Sequence, residues 1–156
     1  MPVTSSRIKK SGALAAAAVA LVAAWEGVRT TAYKDIVGVP TVCFGETRGV
    51  KMGDKYTMDE CRAMLGDGLV EFEAGMRACL LKPDSVPQKP YIAFLSLSYN
   101  IGNRAFCGSS VARKANAGDF KGACDAILMW DRAGGRVVQG LVNRRKDERR
   151  ICLEGI

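Results

Sequence analysis

The sequence predicts an α+β fold in which a small β lobe is set into an otherwise helical chain, and three stretches carry that expectation. An uncharged, alanine-rich run from Gly12 to Trp25 gives way to the segment Tyr33 to Phe44, which is rich in β formers and turns around Gly38 and Pro40. Thr57 and Glu60 then form a T-x-x-E capping box, followed at helical spacing by Cys61, Met64, Leu65, Leu69, Phe72, Met76 and Cys79. Finally, Tyr91 to Ile101 is apolar nearly all round and stops at Gly102, the pattern of a buried helix with a glycine at its end.

Taken in order, the elements begin with Arg7, Lys9 and Lys10 ahead of the 14-residue run Gly12 to Trp25. Basic residues before a short apolar stretch are the layout of an export signal. The run is shorter than the roughly 20 residues that span a bilayer comfortably, and alanine inserts less favourably than leucine or isoleucine. Three readings fit: a cleaved signal peptide, a retained but releasable signal anchor, and a buried helix of a cytosolic protein. Small-x-small sites such as Ala18-Val19-Ala20 allow cleavage, but cleavage there would strip the helix leading into Glu26, which favours the releasable anchor. The basic residues place the N-terminus on the cytoplasmic side and send the remainder across.

The first helix is expected to continue through Trp25 and Glu26 toward Arg29, ahead of the hairpin-like lobe. A long helix starts at Met58, with Gly66, Gly68 and Gly75 leaving its far boundary open. Lys82 to Pro90, with three prolines, reads as a connection. Beyond the buried helix, Ser109 or Ser110 caps a short helix ending at Gly118, and Asp119 caps another reaching Trp130. Gly140 precedes a last, basic helix through Cys152. The run Arg144 to Arg150 reads as that helix's solvated face, and the chain beyond the hairpin lobe as helical throughout.

Composition sets the chemistry that is available. A chain of 156 residues, 48% hydrophobic and 25% charged, is large enough for one domain with its own core, and a monomer is expected. Six cysteines (Cys43, Cys61, Cys79, Cys107, Cys124 and Cys152) lie 17 to 28 residues apart with no CxxC pair, which suits disulfides in an oxidising compartment better than a metal centre. Buried free thiols are the alternative on cysteine count alone. The net charge of +7 points to an anionic partner, and nucleic acid, anionic lipid and the bacterial wall all qualify. With no histidine anywhere, Ser-His-Asp and Cys-His mechanisms are excluded, and so are histidine-ligated metals. Chemistry here runs on carboxylates.

Glu26 closes an apolar helix, a setting that favours the neutral acid a proton donor must be. Asp35 follows nine residues later in a polar turn suited to a permanent anion, and Thr41, six further on, has a hydroxyl able to hold water. Two carboxylates in contrasting settings form a glycosidase-like constellation. On spacing alone, two solvated surface carboxylates would look the same.

The wider context separates the two. Trp25-Glu26-Gly27-Val28-Arg29-Thr30-Thr31-Ala32-Tyr33-Lys34-Asp35, then Gly38-Val39-Pro40-Thr41-Val42-Cys43-Phe44-Gly45, resembles the active-site signature of the phage lysozyme family, glycoside hydrolase family 24. Glu26, Asp35 and Thr41 match its pattern E-x8-D-x5-T position by position. Tyr99-Asn100-Ile101-Gly102 with Ala105-Phe106 resembles the family's core helix and following turn. Trp130, Ala133-Gly134-Gly135, Gly140-Leu141-Val142 and Arg144-Arg145 resemble its C-terminal segment, so the likeness covers residues 25–153.

The resemblance implies a lysozyme-like α+β fold, with a cleft between a small β lobe and a larger helical lobe. It implies hydrolysis of the β-1,4 bond between N-acetylmuramic acid and N-acetylglucosamine in peptidoglycan, without cofactor or metal. Glu26 would protonate the leaving oxygen, Asp35 would position or activate water, and Thr41 would orient it. Thr47, Tyr99 and Ser110 fall where the family contacts substrate. Bridges Cys43–Cys61 and Cys124–Cys152 resemble those of secreted relatives, which leaves Cys79 with Cys107.

An Ala/Gly-rich segment just before the catalytic glutamate resembles the signal-arrest-release endolysins. Residues 1–24 are then the export and anchor segment and 25–156 the catalytic domain, tethered first to the host inner membrane and acting in the periplasm. Some of these relatives carry a disulfide-masked cysteine at the middle catalytic position. Asp35 stands there in this chain, which argues against thiol unmasking. A second departure is Glu46, where the family usually has histidine after Phe44-Gly45. Two competing functions are a lytic transglycosylase, disfavoured by the water-handling Asp35 and Thr41, and a membrane-tethered basic binding module, for which no nucleic-acid motif speaks.

Overall fold

The apolar faces read from the sequence converge on one helix. The computed structural model describes residues 5–156, so Met1 to Thr4 of the 1–24 segment lie outside the described residues. A one-turn helix α1 (Arg7–Lys10) leads through Ser11 into α2 (Gly12–Trp25). Ser11 caps α2 by accepting from the Leu14 amide at 3.2 Å. Leu14, Ala18, Leu21 and Val22, spaced along one face, are buried. Among the described residues no helix is long and apolar enough to cross a membrane.

The first helix stops at Trp25, short of the expected continuation toward Arg29, with Glu26 already extended at φ −91°, ψ 136°. Gly27 and the β-branched Val28, Thr30 and Thr31 explain the early stop. Strand β1 (Arg29–Lys34) pairs antiparallel with β2 (Pro40–Cys43), Tyr33 facing Thr41 and Lys34 facing Pro40. The segment around Lys55 lies along β1's other edge, the Ala32 and Tyr56 amides bonding to the Asp54 and Thr30 carbonyls at 2.8 Å each. This is the small β lobe.

Helix α3 (Met58–Cys79) starts at the expected capping box, with both reciprocal bonds formed between Thr57 and Glu60. It runs unbroken through its three glycines. At Gly75 a Cβ would meet the Asn103 amide oxygen at 2.4 Å, so glycine there permits a close approach to the next helix pair. After a 3-10 turn at Pro83–Ser85 comes α4 (Gln88–Ile101), buried at every position from Pro90 to Ser98. It packs against α2, α3, α5 (Asn103–Cys107) and α8 (Gln139–Glu154), which makes it the axis of the helical lobe.

Ser109 rather than Ser110 caps α6 (Ser110–Asn116), and Asp119 caps α7 (Phe120–Ala126), which tightens into a 3-10 turn before Trp130. A second hairpin, β3 (Arg132–Ala133) with β4 (Arg136–Val137), interrupts the expected all-helical C-terminal half. Gly134 and Gly135, both at positive φ (59° and 78°), form its turn. Disulfides join Cys43 to Cys61, Cys79 to Cys107 and Cys124 to Cys152, tying the β lobe to α3, α3 to α5, and α7 to α8.

Helices α7 and α8 are also joined by Asp125, which accepts from Arg149 at 2.9 Å and from Lys121 at 3.1 Å. Lys121 first, then Arg149, holds the Asp125 carboxyl below its usual range. A group whose folded pKa is lowered contributes stability above its unfolded value of about 4, lost as pH falls through the folded value. The wild type is therefore expected to lose stability between neutral and acid pH more steeply than Asp125→Asn, measured by denaturant unfolding at several pH values.

Candidate active site

The site lies where the first helix hands over to the β lobe. A cleft of about 270 Å³ is lined by Glu26, Gly27, Val28, Arg29, Tyr33, Phe44 and Gly45. Phe44 and Glu46 continue the lining into a neighbouring recess against Met64, Gly68 and Tyr99. The resulting groove runs between the β lobe and α3.

Glu26 is fixed from the far end of the chain. Its Oε2 accepts from Nη1 of Arg144 on α8 at 2.5 Å, and the preceding Trp25 donates its indole N–H to Asp147 on the same helix at 2.9 Å. The apolar setting expected for Glu26 is therefore corrected. Its side chain is 25% exposed and its carboxylate lies against a guanidinium.

Arg144 belongs to a buried group that the sequence reading placed in solvent. Arg144, Arg145 and Glu148 are all buried, while Arg149 and Arg150 face out. Arg144 Nε lies 3.2 Å from Glu148 Oε2, and Arg145 Nη1 lies 3.2 Å from Glu148 Oε1. Ser96 of α4 donates to Glu148 at 2.5 Å, and Asn100 of the same helix accepts from Arg145. Two guanidinium groups thus face one fully buried carboxylate, and Glu26 is the second anion that balances them. Burial pushes the Glu148 carboxyl up while Arg145 and Arg144 pull it down, and burial likewise lowers the Arg145 guanidinium.

Asp35 ends β1 in a tight turn. Its Oδ1 accepts from the Val37 and Val39 amides at 2.9 Å each, and Gly38 takes the positive φ of 85° that the turn needs. Two N–H donors on one oxygen suit an anion and leave Oδ2 for other partners. Thr41, opposite Tyr33 on β2, is buried and donates to the Val39 carbonyl at 2.9 Å, so the same short turn fixes both residues.

Of the three residues the resemblance implied for substrate contact, Tyr99 lies at the groove. Its hydroxyl donates to the Phe44 carbonyl at 3.2 Å, and its ring packs on Phe72 with centroids 5.0 Å apart. Burial, then the nearby carboxylates of Glu26 and Glu46, push its phenol above the usual range. Glu46 thus shares the groove with Glu26, and its backbone closes the Val42-to-Glu46 turn through two 2.9 Å bonds. Thr47 is exposed in the next turn, and Ser110 accepts from Arg113 at 2.8 Å; neither lines the cleft that holds Glu26. Among the described residues no cluster of histidine, cysteine or carboxylate side chains could hold a metal.

A small β lobe, a helical lobe and a carboxylate at the cleft between them define a lysozyme-like glycosidase. The chain belongs to the phage lysozyme family, whose family model matches residues 23–148, and it is a lysozyme-type enzyme and endolysin. It is 42% identical over 148 residues to the SAR-endolysin of Pseudomonas phage phiKMV, covering 92% of this chain and 90% of that one. It is 44% identical over 131 residues to the SAR-endolysin of Enterobacteria phage P21, covering 83% and 78%. Among solved structures, a P22 lysozyme mutant superposes with a TM-score of 0.79 at 33% identity, covering 87% of this chain and 94% of that chain.

Arg144→Met removes the cation shared by Glu26 and the fully buried Glu148. Glu148 keeps Arg145 and Ser96 but loses one of its two guanidinium partners while Glu26 loses its own, a change worth on the order of 2–3 kcal/mol, so chemical denaturation should show a loss of about that size, with little change in the denaturant slope.

Proposed function

We propose that this enzyme hydrolyses the β-1,4 bond between N-acetylmuramic acid and N-acetylglucosamine of peptidoglycan, with Glu26 as general acid and Asp35 and Thr41 handling water. The observation that supports the reading is the position of Glu26, held by Arg144 in a cleft that Tyr33 also lines; Asp35 and Thr41 stand on the same hairpin as Tyr33, Thr41 paired with it, although neither lines that cleft itself. Arg144 engages Oε2, which leaves Oε1 to meet the leaving glycosidic oxygen. Asp35 is oriented by the two amides on its Oδ1, which leaves Oδ2 as the oxygen to take a proton from the attacking water. The buried Thr41 hydroxyl, anchored by its own proton to Val39, presents its lone pairs to that water. Tyr99 supports Phe44 from beneath and shapes the wall of the groove.

Residues 1–24 act in this reading as a releasable anchor. While the segment lies in the inner membrane, Glu26 at its end is drawn away from Arg144 and the cleft is incomplete. Once the segment leaves the bilayer, residues 13–24 pack beside α4 and Glu26 enters the site. The names of the phiKMV and P21 relatives support this sequence of events, as does the burial of Leu14, Ala18, Leu21 and Val22. Export delivers the enzyme to the periplasm, where three disulfides can form.

The test is clearing of outer-membrane-permeabilised Gram-negative walls by the oxidised protein, with products weighed by mass spectrometry. Wild type is expected to release muropeptides carrying an added water, and Glu26→Gln to clear about 100-fold more slowly or worse. Anhydro products would assign a transglycosylase instead. Full activity in Glu26→Gln would remove Glu26 from the acid role.

A further inference from the structure

The mechanism leaves unused one carboxylate that is fully buried and has acceptor bonds at both oxygens. Glu73 lies on the core face of α3 with no exposure to solvent. Its Oε1 accepts from the Ser6 hydroxyl, and its Oε2 accepts from the Arg7 amide at 3.0 Å, the Ile8 amide at 3.3 Å and the Tyr91 hydroxyl at 2.5 Å. Three of these four donors therefore come from the N-terminal segment. Arg7 adds a second hold: its guanidinium lies 4.2 Å from the centroid of the Tyr91 ring and donates to the Val86 and Pro83 carbonyls at 2.7 and 3.1 Å. Arg77 donates to the Tyr91 hydroxyl at 3.1 Å and completes the cluster.

The physical need for such contacts follows from the composition of α2. A face made of Leu14, Ala18, Leu21 and Val22 is solvated about equally well by lipid chains and by a protein core, so apolar burial barely distinguishes the two locations. An equilibrium shifts only by interactions present in one state and missing in the other. Polar contacts at the two ends of the segment meet that condition. At its end Trp25 and Glu26 bond to α8, and at its start Ser6, Arg7 and Ile8 bond to Glu73 and its neighbours.

We propose that Glu73 is the latch that captures residues 6–8 when the segment leaves the membrane, so that the segment from Ser6 to Glu26 is held at both ends and Glu26 stays in the cleft. The proposal rests on the releasable-anchor reading above. In the tethered form Ser6, Arg7 and Ile8 sit on the far side of the bilayer, and Glu73 keeps Tyr91 alone among its four donors, open to water where the segment will dock. Capture replaces that water with a charged acceptor's bonds to two amides and a hydroxyl, contacts that a bilayer does not offer.

The experiment uses the full-length oxidised chain, purified in detergent and diluted rapidly below the micelle concentration. Trypsin cleavage after Lys9 and Lys10 is followed by mass spectrometry, alongside recovery of wall-clearing activity. Glu73→Gln keeps the side chain's shape but turns one of its two acceptor oxygens into a donor, facing either Ser6 or the two amides. Arg7→Ala keeps the backbone amide that bonds Glu73 and removes the segment's second hold, the guanidinium on Tyr91, Val86 and Pro83. Both variants are expected to be cut after Lys9 and Lys10 at least about tenfold faster than wild type, and to recover activity correspondingly more slowly. Wild-type protection and recovery in both would overturn the latch. Cleavage does not depend on catalysis, so the latch is tested even if no wall is cleared, and its failure is told apart from failure of the hydrolase reading.

Discussion

The contact on which the rest of the structure depends is the Arg144 guanidinium, which reaches Glu26 at 2.5 Å on one side and Glu148 at 3.2 Å on the other. Taking ions out of water costs several kcal/mol each, so such a group contributes more to specifying an arrangement than to net stability. Here the arrangement is chemical. Two guanidinium groups and one buried carboxylate leave an excess positive charge in the helical lobe, and the residue that balances it arrives from 118 positions earlier in the chain. The last helix thus selects where the end of the first helix must lie, and the β lobe begins three residues beyond Glu26, at Arg29.

Helix α4 makes this possible by being more than an apolar axis. Its buried face includes Ser96, which donates to Glu148, and toward its end Asn100 accepts from Arg145. Those two polar groups turn the seam between α4 and α8 into a socket for charge, while Tyr91 near the helix start serves Glu73 in the same way. One central helix therefore supports a buried carboxylate toward each end, and the segment that contains α2 is fastened near both: Ser6, Arg7 and Ile8 bond to Glu73, and Glu26 bonds to Arg144, the guanidinium that Glu148 holds. In the releasable-anchor reading proposed above, polar contacts at the segment's two ends are what would favour its place in the core over lipid.

What could be read from the sequence follows the strength of the local signals. The start of α3 was legible because a capping box and a row of apolar residues agree, and the axis helix because nearly every side chain in it is apolar. The β lobe showed itself through turn chemistry at Gly38 and Pro40, and the family through the long matching run in which Glu26, Asp35 and Thr41 stand at fixed spacing. The hairpin at Arg132–Val137 was missed because two-residue, fully exposed strands have no apolar alternation, although Gly134-Gly135 marks its turn. Arg144, Arg145 and Glu148 were hidden by charge, since a helix with so many basic residues reads as solvated. Their signal was positional: Arg144 and Glu148 share a face with the buried Cys152 at four-residue steps. Glu73 follows the same rule, one step beyond Leu69 on the face that begins at Cys61 and Leu65. In both cases the partners come from distant parts of the chain, so a sequence window records the charge and not what satisfies it.

The central claim is that Glu26 and Arg144 are coupled to each other and not merely present in the same lobe. A double-mutant cycle on the oxidised full-length chain tests it, comparing Glu26→Gln, Arg144→Met and the double variant by equilibrium denaturation. The account predicts non-additivity of about 1 kcal/mol or more, the double variant losing less than the sum of the two single ones. Additivity within about 0.5 kcal/mol would mean the two residues act independently and would contradict it.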